Sequence, residues 1–334
     1  MAARKPVGWG ILSTGKHARK VALAVQAAHP GAIVAVASRD RTKAEAFVRE
    51  VGLEGASAYG SYEALIADPK VEAIFNVLPN GMHLEWTLKA ARAGKHTLCE
   101  KPLASNASEA QEMADGCQKA GVLLMEAFMY RLHPQSAKLL SEIQSGAIGE
   151  LRFIRSAFCF IMEDLANVRL SASLAGGALM DVGCYCINFS RYMAQAEPLE
   201  VAAVAEFGAQ SKVDEVFAGT LHFPRGIVAQ FHVNFRVSGD TQAEVVGSKG
   251  KLRIERPWFP DVKSAAFQVL TGSDVRTVTT ADGGNTYALE FERFAAAIRG
   301  QGPLPLPPED GVRNMRVIDA LYRAARTGQN VKLG

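Results

Sequence analysis

A chain of 334 residues, 48% apolar and 21% charged, has the composition of a globular protein with room for two domains. Its net charge of +3, on Lys and Arg scattered along the chain, leaves no electrostatic footprint for nucleic acid or an anionic membrane. No apolar run approaches the roughly 20 residues needed to span a bilayer, and MAARKPVGWG lacks the apolar stretch of a signal peptide.

The first part of the chain alternates strand and helix. VGWGIL reads as a buried strand, followed by a helix from His17 to Ala28 that stops near Pro30. AIVAVAS (32–38) is a second strand, and RTKAEAFVREVG a helix closed by Gly52. A short strand at Ala58–Tyr59 leads into SYEALIAD, which Ser61 caps. EAIFNVL (72–78) is a fourth strand, followed by a helix in GMHLEWTLKAARAG that ends at Gly94. HTLCE (96–100) and VLLME (122–126) flank the helix NASEAQEMADGCQKAG. Apolar strands spaced by amphipathic helices imply a parallel sheet covered on both faces, and right-handed crossovers make it doubly wound. The expected division is an N-terminal domain, 1–126, and a second domain, 127–334.

After a helix around Gln135–Ser145 the texture changes. ELRFIRSAFCFI, EVAAVAEFGA, EVFAGTLHF, GIVAQFHVNF, QAEVVGS and GKLRIE are strand-like, and short turns such as Pro224-Arg225-Gly226 and Gly247-Ser248-Lys249-Gly250 join them. This half reads as a large, mostly antiparallel open sheet. Its alternating apolar residues suggest a homodimer contact. Two late helices follow, Thr286 to Ile298 and Asp310 to Thr327.

The first strand-to-helix turn is where an α/β sheet holds a dinucleotide. The G-x-G-x-x-G/A fingerprint appears here as Ser13-Thr14-Gly15-Lys16-His17-Ala18. Gly15 allows close approach of a pyrophosphate, Ala18 allows close helix packing, and Ser13 replaces the first glycine with a hydroxyl that can reach phosphate at the helix N-terminus. At the tip of the second strand, Ser38-Arg39-Asp40-Arg41-Thr42-Lys43 has serine where NAD enzymes keep an acid. A 2′-phosphate suits Ser38 and Arg39, with Lys43 or Arg41 adding charge, so NADP(H) is favoured over NAD(H). The competing reading makes Asp40 a helix cap and Arg39 a solvated cation.

Three further stretches carry chemistry. Cys99-Glu100-Lys101-Pro102 lies at a strand tip, where Pro102 holds Lys101 extended toward the cleft. Leu78-Pro79-Asn80-Gly81-Met82-His83 lies at the neighbouring tip, with His83 facing the cofactor or sitting in the first turn of its helix. The third runs from Gly176 to Asn188 and puts Asp181 and Tyr185 on one helix face. The five cysteines are odd in number and lack C-x-x-C spacing, which points to reduced thiols in a cytoplasmic protein. No His or Asp cluster completes a site around Cys184 and Cys186, so no metal is expected.

In these motifs the sequence resembles the glucose–fructose oxidoreductase / inositol dehydrogenase / rhizopine-catabolism family (Gfo/Idh/MocA) across essentially its whole length. E-K-P, P-N-x-x-H and GG-x-L-x-D-x-G-x-[HY] occur in order, and Met125 to Pro134 is also similar. Tyr185 stands where many members have histidine and Asn188 where they have aspartate. Tyrosine there is similar to the branch holding dihydrodiol and D-xylose dehydrogenases, so inositol oxidation is disfavoured. The resemblance implies a Rossmann domain followed by an α/β domain whose open sheet makes a homodimer or homotetramer, with a polyol or sugar as substrate. It implies Lys101, Tyr185 and Asp181 as catalytic residues. Ser13, Thr14, Gly15, Lys16, His17, Ser38, Arg39, Lys43, Leu78, Pro79, Asn80, His83, Glu100, Lys101, Arg169 and Tyr287 are expected at the cofactor.

A hydride exchanged with a carbinol carbon needs a partner for the hydroxyl proton. A tyrosine, with an ordinary pKa of about 10, serves only if a cation stabilises its phenolate. Tyr185 is therefore read as the acid/base and Lys101 as its partner, with the two roles exchangeable, and Asp181 as an orienting group. The alternative is a non-redox or regulatory nucleotide-binding member of the same fold.

Overall fold

The computed structural model describes residues 6–334. In chain order the first elements are β1 (Trp9–Leu12), α1 (Lys16–Ala28), β2 (Ile33–Ala37), α2 (Arg41–Val51), β3 (Ser57–Tyr59), α3 (Tyr62–Ile66), β4 (Ala73–Asn76), α4 (His83–Arg92), β5 (His96–Cys99), α5 (Ala107–Ala120) and β6 (Leu124–Glu126). They form a six-stranded parallel sheet in the order β3-β2-β1-β4-β5-β6. This is the doubly wound fold that the alternation of strands and helices predicts.

Register explains where its site falls. Leu12 pairs with both Ala37 and Asn76, Asn76 with Cys99, and Cys99 with Glu126. The carboxyl ends of five strands therefore lie in one row. The segments that leave this row begin at Ser13, Ser38, Val77 and Glu100, so motifs widely separated in sequence open onto one edge.

The chain continues with α6 (Pro134–Gln144), β7 (Leu151–Cys159), α7 (Cys184–Ala194), β8 (Glu200–Phe207), β9 (Asp214–His222), β10 (Val228–Asn234), β11 (Thr241–Gly247), β12 (Lys251–Ile254), β13 (Ser264–Thr271), β14 (Asp274–Ala281), α8 (Thr286–Ile298), α9 (Pro308–Thr327) and β15 (Val331–Lys332). The second sheet has nine strands, ordered β14-β13-β12-β11-β7-β10-β9-β8-β15, and only β7 and β10 pair in parallel. Val233 of β10 faces α7's entry, since a Cβ on Gly183 would lie 3.5 Å from it. By alternation Gln230 and His232 point to the opposite face.

Two compact units emerge, and they divide the chain differently from a single cut at 126/127. The first runs to Met129 and also takes Asn285–Val312, whereas the second holds Tyr130–Gly284 and Arg313–Gly334. The returning segment belongs to the first unit because α8 supplies part of its core. Phe291 packs on Trp9 with ring centroids 4.3 Å apart and on Phe75 at 5.2 Å. In the second unit Trp258, fully buried, meets Phe158, Tyr185 and Phe189 at 5.6–6.0 Å. Emptying either site by truncation to alanine costs about 3–5 kcal/mol.

The hairpin β13–β14 has no counterpart in the sequence reading. Most of β14 is exposed and its DVRTVTTA lacks alternating apolar residues, so the period-2 signal is absent. All five cysteines are buried and free. Among the described residues no helix is long and apolar enough to cross a membrane.

Candidate active site

In the first unit the nucleotide turn starts with an unusual backbone. Ser13 has φ 136°, a region that side-chain-bearing residues rarely adopt and glycine enters freely. The fingerprint's first glycine therefore has a conformational reason, and serine occupies its place under strain. The Ser13 hydroxyl compensates by accepting the Gly15 N–H at 3.1 Å. Gly15 itself has φ −69°, so handedness does not demand glycine there. A Cβ on it would meet only Ser13 Oγ, at 3.4 Å.

What a side chain at Gly15 would fill is thus the space in front of the helix, the approach a pyrophosphate needs. The first turn of α1 has no acid and its N-cap no side-chain cap, which leaves its N–H groups and positive dipole end for an anion. Ala18 is fully buried against the sheet. Thr14 and His17 are half-buried and Lys16 is exposed. These residues fit a dinucleotide.

At the end of β2, Ser38 is buried and its hydroxyl accepts the Asp40 N–H at 3.4 Å. Asp40 caps α2, its Oδ1 accepting the Thr42 N–H at 2.9 Å. Arg39 and Lys43 are exposed. Burial raises the pKa of the Tyr62 hydroxyl, while the Arg39 guanidinium hydrogen-bonded to it works in the opposite direction. The one acid of this tip is therefore committed to the helix cap, while Lys43 is exposed and Arg39, also exposed, reaches Tyr62.

The neighbouring tips are braced from beneath. Glu100 Oε1 meets His17 Nε2 at 2.8 Å, and its Oε2 accepts the Lys101 N–H at 3.2 Å. Burial opposes the Glu100 charge, yet the His17 ring and the Lys101 ammonium together hold its carboxyl below the ordinary value. Tyr287 packs edge-on to His17 at 5.7 Å, beneath the Lys20 ammonium. Burial, then the Glu100 charge, pushes its hydroxyl well up. Leu78 is buried, while Pro79, Asn80 and Lys101 are half-buried.

His83 sits in the first turn of its helix, the second of the two sequence readings. It is fully buried, with Nε2 at 2.9 Å from Leu78 O and Nδ1 at 3.0 Å from Pro102 O. Both ring nitrogens lie at backbone carbonyls, to one of which a neutral ring donates its single N–H, so His83 sits buried between the Asn80 loop and the E-K-P loop. Burial lowers its pKa.

In the second unit the Gly176–Gly177 turn launches the helix that carries Asp181 and Tyr185. Gly177 has φ 125°, and a Cβ on it would lie 2.1 Å from Asp214 Oδ1. Only glycine permits that approach. Asp214, buried, accepts the Leu179 N–H and the Tyr322 O–H, each at 2.7 Å. The helix opens as a π-turn over Leu179–Gly183 before α7 begins, a local irregularity often found at functional sites. Arg169 Nε donates to Asp181 Oδ2 at 2.7 Å, which places this sequence-assigned cofactor residue on the acid. Tyr185, 4% exposed, lies among the rings of Phe158, Trp258 and Tyr130 at 5.6–6.0 Å. Asn188 Oδ1 accepts from the Tyr130 hydroxyl at 2.6 Å and from Arg131 Nη1 at 3.2 Å.

Two family descriptions match this chain: an oxidoreductase family with an NAD-binding Rossmann fold over residues 7–128, and the GFO/IDH/MocA C-terminal domain over 137–253. D-xylose 1-dehydrogenase (NADP(+)) 2 of Haloferax volcanii is 38% identical, with 97% of this chain and 99% of that protein covered. Mouse trans-1,2-dihydrobenzene-1,2-diol dehydrogenase is 34% identical over 75% of each chain. KijD10, a 3-ketoreductase of Actinomadura kijaniata solved with NADP and TDP-benzene, superposes with a TM-score of 0.89 at 28% identity, covering 96% of this chain and 98% of that one. It has also been solved as a tyrosine-to-phenylalanine and a lysine-to-alanine mutant.

The chain belongs to the GFO/IDH/MocA oxidoreductase family.

As a member of that family it is an oxidoreductase with a dinucleotide-binding Rossmann domain. The structure also holds residues that spacing did not reveal. Glu290 of α8 is 1% exposed, its Oε1 lacks a hydrogen-bond partner, and burial, then the Glu100 charge, raises its pKa well above the ordinary range. An acid inside YALEFERFAAAI was the available signal. Asp214 gave none, since its partners lie 35 and 108 residues away. On the sheet face away from α7, a concavity of about 720 Å³ is lined by residues including Arg155, Val204, Gln230 and Glu244. Glu244 there binds Arg155, Lys251 and Arg253. One trio among the described residues has the spacing of metal ligands, Cys159, His232 and Asp240, and Cys184 and Cys186 are not part of it.

Proposed function

We propose that this oxidoreductase exchanges a hydride between NADP(H) and a secondary alcohol or ketone of a sugar, sugar derivative or cyclic diol. The observation that carries the cofactor choice is the β2 tip: Asp40 is committed as a cap, while Ser38, Arg39 and Lys43 remain for a 2′-phosphate. The substrate class follows from relatives named for a pentose, a cyclic diol and a sugar-nucleotide ketone.

The bound nicotinamide would supply hydride exchange at its ring. Gly15 and the N–H groups of α1 would hold the pyrophosphate, with Thr14, Lys16 and His17 beside it, and Leu78, Pro79 and Asn80 would line the cofactor from the next strand tip. Tyr185 would hold and return the hydroxyl proton, and the Lys101 ammonium would stabilise its phenolate. The lysine and tyrosine mutants of KijD10 are of these two residue types. Asp181, held by Arg169, would orient the substrate hydroxyl. Exposed Val204 and Phe207 on β8 and the concave face behind it suit a homodimer or homotetramer formed through this sheet. Five buried free thiols suit the reducing cytoplasm.

Titration with NADPH and NADH, followed by nicotinamide fluorescence, tests the cofactor reading. Tighter NADPH binding is expected, and Arg39→Ala should weaken it about 10-fold or more while leaving NADH unchanged. Equal or stronger NADH binding would overturn the reading of β2. Stoichiometric formation of NADPH absorbance from NADP+ with pentoses, hexoses or cyclic diols tests the reaction.

A further inference from the structure

We propose that Cys159, His232 and Asp240 form a binding site for a soft divalent cation of the zinc class, on the face of the second sheet away from α7. Three adjacent elements converge to make it. Cys159 ends the central strand β7, and His232 lies on β10, which pairs in parallel with β7 on one side. Asp240 directly precedes β11, the antiparallel neighbour on the other side.

Register puts the three on one face. His232 and Gln242 both pair with Ala157, and Cys159 and Asp240 each lie two residues along from that row. Ser156 and Phe158 take the other face, where Phe158 meets Tyr185 at 5.6 Å. The trio is therefore separate from the residues assigned to hydride exchange, and the proposal stands whether or not the NADP(H) reading does.

The donor set is a thiol, an imidazole and a carboxylate; zinc takes all three, whereas alkaline-earth ions take only the carboxylate. Their ligand atoms all lie within 4.8 Å of one another. His232 Nε2 and Asp240 Oδ2 already converge at 2.8 Å. Tetrahedral ligands on bonds of about 2.0–2.3 Å sit roughly 3.3–3.6 Å apart, so closing the site asks for side-chain movement of about 1 Å.

The surroundings hold the carboxylate in place as metal sites require. Gln242 Nε2 donates to Asp240 Oδ1 at 3.0 Å, leaving Oδ2 for the cation. The Cys159 N–H donates to Asp240 O at 2.8 Å, which fixes the loop to the strand. Cys159 is buried, whereas His232 is exposed. Three protein ligands leave the fourth position of a tetrahedral site open.

The test is a Co2+ titration of the purified full chain after dialysis against chelator. One equivalent should bind with a thiolate-to-cobalt band in the near ultraviolet and the visible bands of tetrahedral cobalt, and Zn2+ should displace it. Cys159→Ser should abolish the thiolate band, and Cys117→Ser, in α5, should keep it. Gln242→Ala should weaken binding about 10-fold. His232→Gln changes an exposed residue and should weaken it further, which keeps the test decisive if Cys159→Ser does not fold. No thiolate band at one equivalent, a band that survives Cys159→Ser, or unchanged affinity in His232→Gln would overturn the site.

Discussion

His17 Nε2 and Glu100 Oε1 meet at 2.8 Å and join the nucleotide turn after β1 to the E-K-P loop after β5. The two residues are 83 positions apart. Because the contact ties the phosphate end of the site to the residue before Lys101, loosening it should be read first in cofactor affinity. Glu100→Gln removes the charge from a part-buried, charge-assisted hydrogen bond, a change of about 1.5 kcal/mol, or roughly tenfold in affinity. The NADPH dissociation constant should rise by that factor, His17→Ala should match it, and the double variant should be little worse than either. Unchanged binding in both single variants would detach this pair from the cofactor.

Ser13 offers a test of strain. Its φ of 136° costs about 1–3 kcal/mol for a residue with a side chain, whereas glycine there loses only about 0.5–1 kcal/mol in chain entropy. Ser13→Gly should therefore leave thermal stability unchanged or raise it, although it discards the bond to the Gly15 N–H. Ser13→Ala discards the bond and keeps the strain, so its melting temperature should fall below the parent's. The order glycine at or above serine, serine above alanine, is the expectation in a thermal melt. Alanine equal to glycine would mean that the strain carries no cost.

These two positions also show what the sequence could disclose. The place of the turn was legible because an apolar run, small residues and a helix stand in succession. The strained φ at Ser13 was not, since nothing in the residue type reports backbone handedness. For His83 the spacing left two readings open, facing the cofactor or sitting in the first turn of its helix, because spacing cannot tell which way such a ring points. Its two carbonyl partners come from different loops and exist only once the fold closes. Asp214 was invisible for the same reason, though it explains why Gly177 must be glycine. Of the β13–β14 hairpin, β14 escaped because solvent covers most of it and removes its apolar pattern, whereas β13 does alternate, with Ala265, Phe267 and Val269 buried.

Asp214 predicts an unusual pH dependence. Burial raises its pKa from an ordinary 3.8 to about 6, against the bonds from the Leu179 N–H and Tyr322 O–H. Between those values the folded chain binds a proton that the unfolded chain has released. Stability from this group is therefore fully present below about pH 3.8, is lost as pH rises through about 6, and is level well above, a total change of about 3 kcal/mol. Asp214→Asn keeps one acceptor and one donor for the same two partners and cannot titrate. Denaturant unfolding at pH 4, 5, 6 and 7 should show the parent losing stability relative to this variant across the window. A parent-minus-variant difference that stays flat would mean that Asp214 titrates as an ordinary exposed acid.

Tyr185 separates packing from chemistry. Its ring lies among Phe158, Trp258 and Tyr130, so Tyr185→Phe keeps every ring contact and removes one oxygen. Stability and NADPH affinity should stay close to the parent's. If the hydroxyl is the acid/base group, turnover should fall roughly 10² or more, the usual contribution of such a group. Lys101→Met should lower turnover by a similar factor, and the double variant should fall far short of the product of the two losses, because residues that act as a unit are not additive. Steady-state rates on the substrate that gives NADPH stoichiometrically measure all three. Near-normal turnover in Tyr185→Phe with Lys101→Met inactive would move the proton to lysine, and multiplicative losses would show that the two act apart.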